Sequence, residues 1–204
     1  MKKETVEKIL CEIRNCKDGC YRKWSGKGTP LSDGSSTAKI LLISQDPSEN
    51  AWKKGVLFSD RNKTALQLSE DVLGVDWKDF NPRRICWTHV ANCDTGKSGK
   101  NDRLPNFKCA NKYLTRLIDT LKPEFILIMG GSALKFFLRD QKITDYVGKK
   151  VKIYSKYYGI PILHTSPQNV TLQNDPELQE RQKKAIIKIK KIVRIILRQG
   201  KSSD

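Results

Sequence analysis

Short apolar runs alternate with stretches of helical periodicity along the chain. The runs predict buried strands, because a strand covered on both faces is almost continuously apolar. They lie at Ala38–Ile43, Arg84–Val90, Phe125–Met129, Ile160–Leu163 and, as an edge strand, Val151–Tyr154. The predicted helices are residues 3–15, Lys63–Leu73, Asn106–Leu121, Ser132–Leu138 and Pro176–Arg198. Strands and helices that alternate in this order predict an α/β sandwich around a mainly parallel sheet.

The two terminal helices have one apolar face each. In the first helix this face consists of Val6, Ile9, Leu10 and Ile13. In the last helix it consists of Ile186, Ile189, Val193 and Ile196. The opposite face of the last helix carries a run of lysines and arginines. We interpret it as solvated surface rather than as a DNA-reading face, because charge runs on helices usually contact only water.

Composition and charge narrow the functional class. A chain of 204 residues predicts a single domain, residues 1–204, with a core large enough to fold without disulfides. Lysine and arginine number 39 against 22 aspartates and glutamates, which gives a formal net charge of +17. A heat-adapted surface would match lysine with glutamate, so the imbalance favours a protein that binds nucleic acid.

The sequence contains no run of 18 apolar residues, so we expect no membrane span. Its first residues, MKKETVEKILCEIRN, alternate charged and apolar positions and lack the apolar centre of a secretion signal. We therefore expect a cytoplasmic, nucleoid-associated protein.

Polar side chains follow three of the predicted strands. Gln45 and Asp46 come after the first, His89 lies near the end of the second, and His164 follows the last. Asp-Pro is also ordinary turn chemistry, so the first of these positions alone indicates little. Because the carboxyl ends of parallel strands meet at one edge, where ligands bind in open α/β sheets, we expect a converging site there.

The six cysteines form a second pattern. In a reducing compartment, clustered cysteines more often hold metal than form disulfides. Cys16 and Cys20 are a close pair, and Cys93 and Cys109 flank one loop, so these four could hold zinc or an iron–sulfur cluster. Cys86 lies inside a strand and is interpreted as a small buried apolar residue, and Cys11 is a weaker candidate ligand.

Six short segments, in order and in register, resemble the uracil-DNA glycosylase superfamily, and within it the iron–sulfur branch called family four. The similarity extends from about Cys16 to the helix after His164. Besides the cysteine pair that precedes the first strand, the segments are SQDPS (Ser44–Ser48), GVLF (Gly55–Phe58), THVANC (Thr88–Cys93), Cys109, IMGGSA (Ile128–Ala133) and HTSP (His164–Pro167).

The resemblance implies a three-layer α/β/α sandwich around a mainly parallel four-stranded sheet. It also implies a monofunctional glycosylase that flips uracil, or another deaminated base, out of DNA and leaves an abasic site. DNA is the implied partner, and the expected state is a monomer. The implied cofactor is a [4Fe–4S] cluster of structural role, ligated by Cys16, Cys20, Cys93 and Cys109.

The resemblance also assigns roles to the candidate site residues. Asp46 would orient or deprotonate the attacking water, and His164 would donate a hydrogen bond to the departing base. Phe58 would stack on the flipped base. The remaining substrate contacts would come from Gln45, His89, Ser166 and Gln168.

Several positions depart from the family four pattern. SQDPS is closer to the GQDPY of the cluster-free family one than to GEAPG, and it places a carboxylate, Asp46, at a position where family four has a small residue. His89 replaces the asparagine that reads uracil, so hypoxanthine or xanthine is an alternative substrate. The Cys16 and Cys20 spacing exceeds the usual one by one residue, which keeps Cys11 as an alternative ligand. The loop from Cys93 to Cys109 lacks the histidine of the covalently trapping variant.

Two other functions remain as alternatives at this point. One is an iron–sulfur protein that binds nucleic acid without catalysis. The other is a metal-dependent nuclease, which would need several converging carboxylates where the strand ends offer only Asp46. The sequence also leaves open whether Asp46 or Glu49 supplies the main catalytic carboxylate.

Overall fold

The computed structural model describes residues 4–18, 20, 28–57, 67–76, 80, 83–99, 101–105, 107–165 and 170–199. The described strands are β1 (Ile40–Ser44), β2 (Ile85–His89), β3 (Lys97–Ser98), β4 (Asn101–Asp102), β5 (Phe125–Met129), β6 (Val151–Ile153) and β7 (Tyr157–Ile162). Five of them form one sheet in the order β2-β1-β5-β7-β6, and β3 and β4 form a small hairpin.

The sheet is parallel except at one edge. β1 pairs in parallel with both β2 and β5, β5 pairs in parallel with β7, and only β6 runs antiparallel to its neighbour β7. Among the described residues the sheet therefore has five strands rather than the four implied by the resemblance, because the short edge strand β6 joins the four parallel strands. The α/β class predicted from the sequence is confirmed.

The described helices are α1 (Val6–Arg14), α2 (Glu49–Lys54), α3 (Thr115–Leu121), α4 (Gly131–Phe137), α5 (Ile143–Tyr146), α6 (Val170–Gln173) and α7 (Pro176–Gln199). Two segments have wider, π-helical turns: Gln67–Leu73, and Ala110–Leu114, which continues directly into α3. Helix α2 is absent from the sequence-based expectations. Ser48 caps its first turn by accepting a hydrogen bond from Ala51 N at 3.3 Å, and Gly55 ends it in the left-handed region.

Helices cover both faces of the sheet. Leu41 and Ile43 of β1 pack on the side of α1, α3 and α4. Ile40 and Leu42 point to the other side, toward α7 and the Gln67–Leu73 segment. All four side chains are fully buried, which explains why the strand is continuously apolar in sequence. The result is the expected three-layer arrangement.

Helix α7 buries one stripe, Ala185, Ile189, Val193 and Ile196, and exposes most of its basic residues. Ile186, predicted to be part of the stripe, is only partly buried at its margin. The basic face is thus exposed, and its interpretation as solvated surface rather than as a DNA-reading face stays a prediction. No helix within the described ranges is both long enough and apolar enough to cross a membrane.

Candidate active site and cysteine cavity

The carboxyl ends of β1 and β2 lie side by side. Ser44 pairs in register with His89, and the pairing continues past both strands, because Val90 N donates to Ser44 O and Ala91 N donates to Gln45 O, each at 2.9 Å. The structure therefore brings Gln45, Asp46 and His89 together at one edge of the sheet, as the sequence predicted.

Asp46 is held by Thr95, a fully buried residue of the loop between two cysteines. Its Oδ2 atom accepts a hydrogen bond from Thr95 N at 3.0 Å and another from Thr95 Oγ1 at 2.5 Å. Burial raises the pKa of Asp46 to about 6, the nearby Asp102 and Asp94 raise it further, and the two bonds from Thr95 oppose this shift. Within the described part of the chain only Oδ2 is bonded, which leaves Oδ1 for another partner.

The Thr95 hydroxyl has two acceptors within reach but only one proton. Its Oγ1 lies 2.5 Å from Asp46 Oδ2 and 3.0 Å from the carbonyl oxygen of Arg103. When Asp46 is ionised, the hydroxyl donates to the carboxylate. When Asp46 is protonated, the carboxyl can donate to Oγ1 and the hydroxyl can turn to Arg103 O. Thr95 can thus hydrogen-bond to either protonation state of Asp46.

His164 follows β7 by two residues, and the intervening Leu163 is fixed from α7. The buried amide of Gln182 donates from Nε2 to Leu163 O and accepts at Oε1 from Leu163 N, both at 3.1 Å. Burial lowers the pKa of His164, and the charge of Asp102 acts in the opposite direction. His164 is therefore neutral near pH 7, and it shares the neighbour Asp102 with Asp46.

His89 is only 1% exposed. Its Nδ1 lies 2.7 Å from Ser44 Oγ, and that oxygen also accepts a hydrogen bond from Trp87 Nε1 at 3.0 Å. Burial lowers the pKa of His89 to about 3, so the ring is neutral at any pH near 7. Its Nε2 is buried and has no hydrogen-bond partner among the described residues.

Gln45 is oriented from the neighbouring strand. Its Oε1 accepts a hydrogen bond of 2.6 Å from the hydroxyl of Ser132, which lies in the first turn of α4 directly after β5. The side-chain oxygen is thereby fixed, and the amide group of Gln45 is left as a hydrogen-bond donor at the same edge of the sheet.

Three predicted site residues, Phe58, Ser166 and Gln168, lie outside the described residues. The alternative carboxylate, Glu49, is exposed on α2 and pairs with Lys53 Nζ at 2.6 Å, which lowers its pKa. Asp46 is the more buried of the two carboxylates and the one whose pKa is raised, so it has the features of a catalytic base.

All four predicted ligand cysteines line one cavity, between α1, α2 and the loop after β2. The lining consists of Ile13, Cys16, Asp18, Cys20, Gly28, Pro30, Trp52, Asn92, Cys93, Cys109 and Tyr113. Gly28 packs so closely on Trp52 that an added Cβ would lie 2.3 Å from its ring. Cys11 is exposed outside this lining, and Cys86 is buried in the sheet, as the sequence indicated.

The cavity supplies hydrogen bonds to sulfur. Cys109 Sγ accepts from Asn92 N at 3.4 Å and from Asn92 Nδ2 at 3.2 Å. Burial and the neighbouring thiols together raise the pKa of Cys93 to about 12. The described residues include no group of three or more His, Cys, Asp or Glu side chains positioned to hold a single metal ion. The donor set is therefore four separate thiols around a largely apolar space.

The sequence-based reasoning missed Thr95, Ser44, Gln182 and Asn92. Each is a buried polar residue that holds a predicted site residue or its neighbour. Two of them lie in segments that carry the resemblance, Ser44 in SQDPS and Asn92 in THVANC, but no role was assigned to either. Thr95 lies far in sequence from Asp46, and Gln182 lies far from Leu163, so only the folded structure shows these contacts.

The sequence is similar to those of known uracil-DNA glycosylases. The model of the uracil DNA glycosylase superfamily matches residues 31–189, so the chain belongs to this superfamily. The type-4 uracil-DNA glycosylase of Saccharolobus solfataricus is 21% identical over 187 residues, which cover 84% of this chain and 83% of that protein. The type-4 enzyme of Sulfurisphaera tokodaii is 24% identical over 156 residues, 76% of this chain and 67% of that protein. The resemblance to family four is thereby confirmed.

Proposed function

We propose that this protein is a DNA repair glycosylase that hydrolyses the N-glycosidic bond of uracil, or of another deaminated base, and leaves an abasic site. The observation that carries the proposal is the Asp46 carboxylate. It is partly buried at the carboxyl edge of the sheet, one of its oxygens is fixed by Thr95, and its pKa is raised to about 6. Such a group is mostly ionised at pH 7 and still basic enough to take a proton from water.

In the proposed reaction the bond between C1′ and the base nitrogen breaks, and its electron pair leaves with the base. Positive charge develops on the sugar, and the ionised Asp46 stabilises it and orients a water at its unbonded oxygen. The water oxygen bonds to C1′, and one water proton passes to Asp46. His164, neutral because its pKa is lowered, donates a hydrogen bond to the base oxygen that becomes anionic.

The flipped base requires contacts on its face and edges. By the resemblance, Phe58 would stack on the base, and Ser166 and Gln168 would belong to the loop that contacts the DNA backbone and fills the gap in the stack. Gln45 supports this arrangement, since its side-chain oxygen is fixed by Ser132 and its amide remains a donor.

DNA binding is supported by the net charge of +17. The loop between Cys93 and Cys109 exposes Lys97 near its start and Lys108 at its end. Lys97 follows Thr95 by two residues, so a phosphate contact there would lie close to Asp46. We propose that the chain acts as a monomeric domain on DNA.

We further propose that Cys16, Cys20, Cys93 and Cys109 bind a [4Fe–4S] cluster. Each cysteine of such a site binds a different iron of the cube, so separated thiols around an apolar cavity suit it better than they suit a single ion. Two donors from Asn92 to Cys109 Sγ would stabilise a thiolate ligand. When bound, the cluster would tie the end of α1 to both ends of the loop that positions Thr95.

A glycosylase assay on duplexes that carry uracil, hypoxanthine, xanthine or mispaired thymine tests the proposal. It is run without added metal, and alkali then cleaves abasic sites. We expect strand breaks only after alkali, with losses of at least about 100-fold in Asp46→Asn and about tenfold or more in His164→Ala, and a near wild-type rate in Glu49→Gln. Tight DNA binding without any abasic product would instead indicate a non-catalytic iron–sulfur binding protein.

A further inference from the structure

The buried ring of His89 has one bonded and one unbonded nitrogen. Nδ1 lies 2.7 Å from Ser44 Oγ, whereas Nε2 has no hydrogen-bond partner in the part of the chain that the structure describes. A buried polar atom without a partner is unfavourable and uncommon in folded proteins, so its retention needs a functional reason, for which a ligand that supplies the partner is a candidate. The identity of that partner depends on whether Nε2 carries a proton.

Ser44 and Trp87 determine where the proton is. The Trp87 indole can only donate, and it donates to Ser44 Oγ at 3.0 Å. Ser44 is 3% exposed, and its hydroxyl has one proton, for which His89 Nδ1 is the acceptor within reach. If Nδ1 donated instead, the serine oxygen would accept twice and its own proton would have no acceptor among the described residues. The network therefore favours a neutral ring with its proton on Nε2.

We infer that His89 is a specificity residue whose Nε2–H recognises the carbonyl oxygen that deamination introduces into a base. The inference rests on the proposed function, because it takes the flipped base as the missing acceptor. His89 ends β2 beside the residues that lead from β1 into Gln45 and Asp46, so its ring belongs to the same edge of the sheet. Deamination of cytosine or adenine replaces an exocyclic amino group by a carbonyl. The amino group of the unmodified base would place its N–H against the Nε2–H of His89, and neither can accept a hydrogen bond. The carbonyl of the deaminated base accepts the hydrogen bond from Nε2.

The substrate class follows from the single donor. Uracil presents this carbonyl at O4 and hypoxanthine presents it at O6, so one N–H can select both against cytosine and adenine. An asparagine at this position would also offer an acceptor to the adjacent ring N–H, which a histidine with its proton on Nε2 does not. His89 should therefore recognise the carbonyl of a deaminated base without requiring the ring N–H beside it.

The protonation of the ring can be measured in the wild-type protein. The chain has only two histidines, so ¹⁵N NMR of histidine-labelled protein gives two ring systems, which the His164→Ala variant assigns. We expect His89 to show a protonated Nε2 and an unprotonated Nδ1 from pH 6 to 8. A protonated Nδ1 would overturn the inference. In Ser44→Ala, which removes the hydroxyl, the two tautomers should mix.

Binding tests the selectivity without cleavage. Oligonucleotides carry uracil, cytosine, hypoxanthine or adenine on a 2′-fluoroarabino sugar, which resists glycosidic cleavage. We expect uracil to bind at least about tenfold more tightly than cytosine, and hypoxanthine than adenine, with both ratios falling to within about twofold in His89→Leu. Ser44→Ala should lower the ratios while keeping the imidazole.

Wild-type ratios near one, or ratios that persist in His89→Leu, would overturn the inference. If His89→Leu does not fold, the wild-type ratios together with Ser44→Ala decide it. Release of natural uracil is measured in parallel, so that the two claims can fail separately. If the protein prefers carbonyl-bearing bases but releases no uracil, the proposed glycosylase activity is refuted and the role of His89 is supported. If it releases uracil without this preference, the role of His89 is refuted and the glycosylase activity is supported.

Discussion

Thr95 fixes one oxygen of the Asp46 carboxylate through both its backbone N–H, at 3.0 Å, and its hydroxyl, at 2.5 Å. Thr95 lies two residues after Cys93, at the start of the loop that ends at Cys109. The segment that borders the cysteine cavity is therefore also the segment that orients the proposed catalytic base. This contact links the two predicted features of the chain, the cysteines and the strand-end carboxylate.

Replacing Thr95 by valine should shift the pH dependence of base excision. The hydroxyl bond to Asp46 lowers the pKa of that carboxyl against the effect of burial, so its loss should raise the pKa above about 6. Because the ionised form is active, the rate rises with pH through this pKa. In a plot of the single-turnover excision rate against pH, the acid limb should move upward by about one to two pH units. The reason is that a hydrogen bond to a charged group contributes about 1.5–3 kcal/mol.

Thr95→Ser is the matched control, because it keeps the hydroxyl and should leave the acid limb near pH 6. A uniform loss of rate in Thr95→Val with an unmoved limb would mean that Thr95 has only a structural role.

Asp46→Asn should lose activity and yet unfold less readily at neutral pH. The pKa of Asp46 is raised from 3.8 to about 6, so the native state binds the proton more tightly than the unfolded state does. The protonated Asp46 side chain therefore contributes its full share of the free energy of unfolding below about pH 4. This contribution is lost as the pH rises through about 6. The asparagine avoids this loss, which amounts to about 3 kcal/mol.

Urea unfolding of both proteins at pH 4 and pH 8 measures this effect. We expect a stabilisation of Asp46→Asn at pH 8 that almost disappears at pH 4. An equal difference at both pH values would show that the carboxylate is not disfavoured by burial.

Gln182→Leu should impair catalysis through His164. It leaves the buried N–H and C=O of Leu163 without their partners, which should cost about 2–4 kcal/mol of unfolding free energy. In the folded protein the backbone before His164 is then no longer fixed, so kcat should fall about tenfold while KM changes little.

Lys183→Ala, on the exposed face of the same helix, is the control and should change stability by less than about 0.5 kcal/mol. A rise in KM with unchanged kcat would argue against positioning of His164 by Gln182.

Cys109→Ser should give protein without the visible absorption and iron content of a cluster, and with reduced stability. The reason is that Cys109 shares one cavity with Cys16, Cys20 and Cys93. Cys11→Ser should retain both absorption and iron, because Cys11 is exposed outside that cavity. Iron analysis and absorption of freshly purified protein measure this directly. Equal iron in Cys109→Ser and wild type would refute the ligand assignment, and loss in Cys11→Ser would make Cys11 a ligand.

Much of the fold could be predicted from the sequence because the central strands are buried on both faces. The predicted strand Phe125–Met129 coincides with β5, and the first strand differs from β1 by two residues at its start and one at its end. Helix α2 could not be predicted in the same way. It has six residues, only two of them buried, so it shows no apolar periodicity.

The candidate site could be predicted only in part. Strand ends and cysteine spacing indicated Asp46, His164 and the four cysteines, because these positions follow from local patterns. The contacts that orient them join residues far apart in sequence, such as Thr95 with Asp46 and Gln182 with Leu163. No local pattern encodes such pairs, since they depend on how loops and helices pack in three dimensions.

The proposed glycosylase breaks the bond between base and sugar and leaves the DNA backbone intact. Mass spectrometry of a uracil-containing duplex after a single turnover at pH 8 tests this most directly. We expect free uracil and a full-length strand in which a hydroxyl replaces the base, in wild type but not in Asp46→Asn. An unchanged oligonucleotide, or strands cut without release of a base, would contradict it.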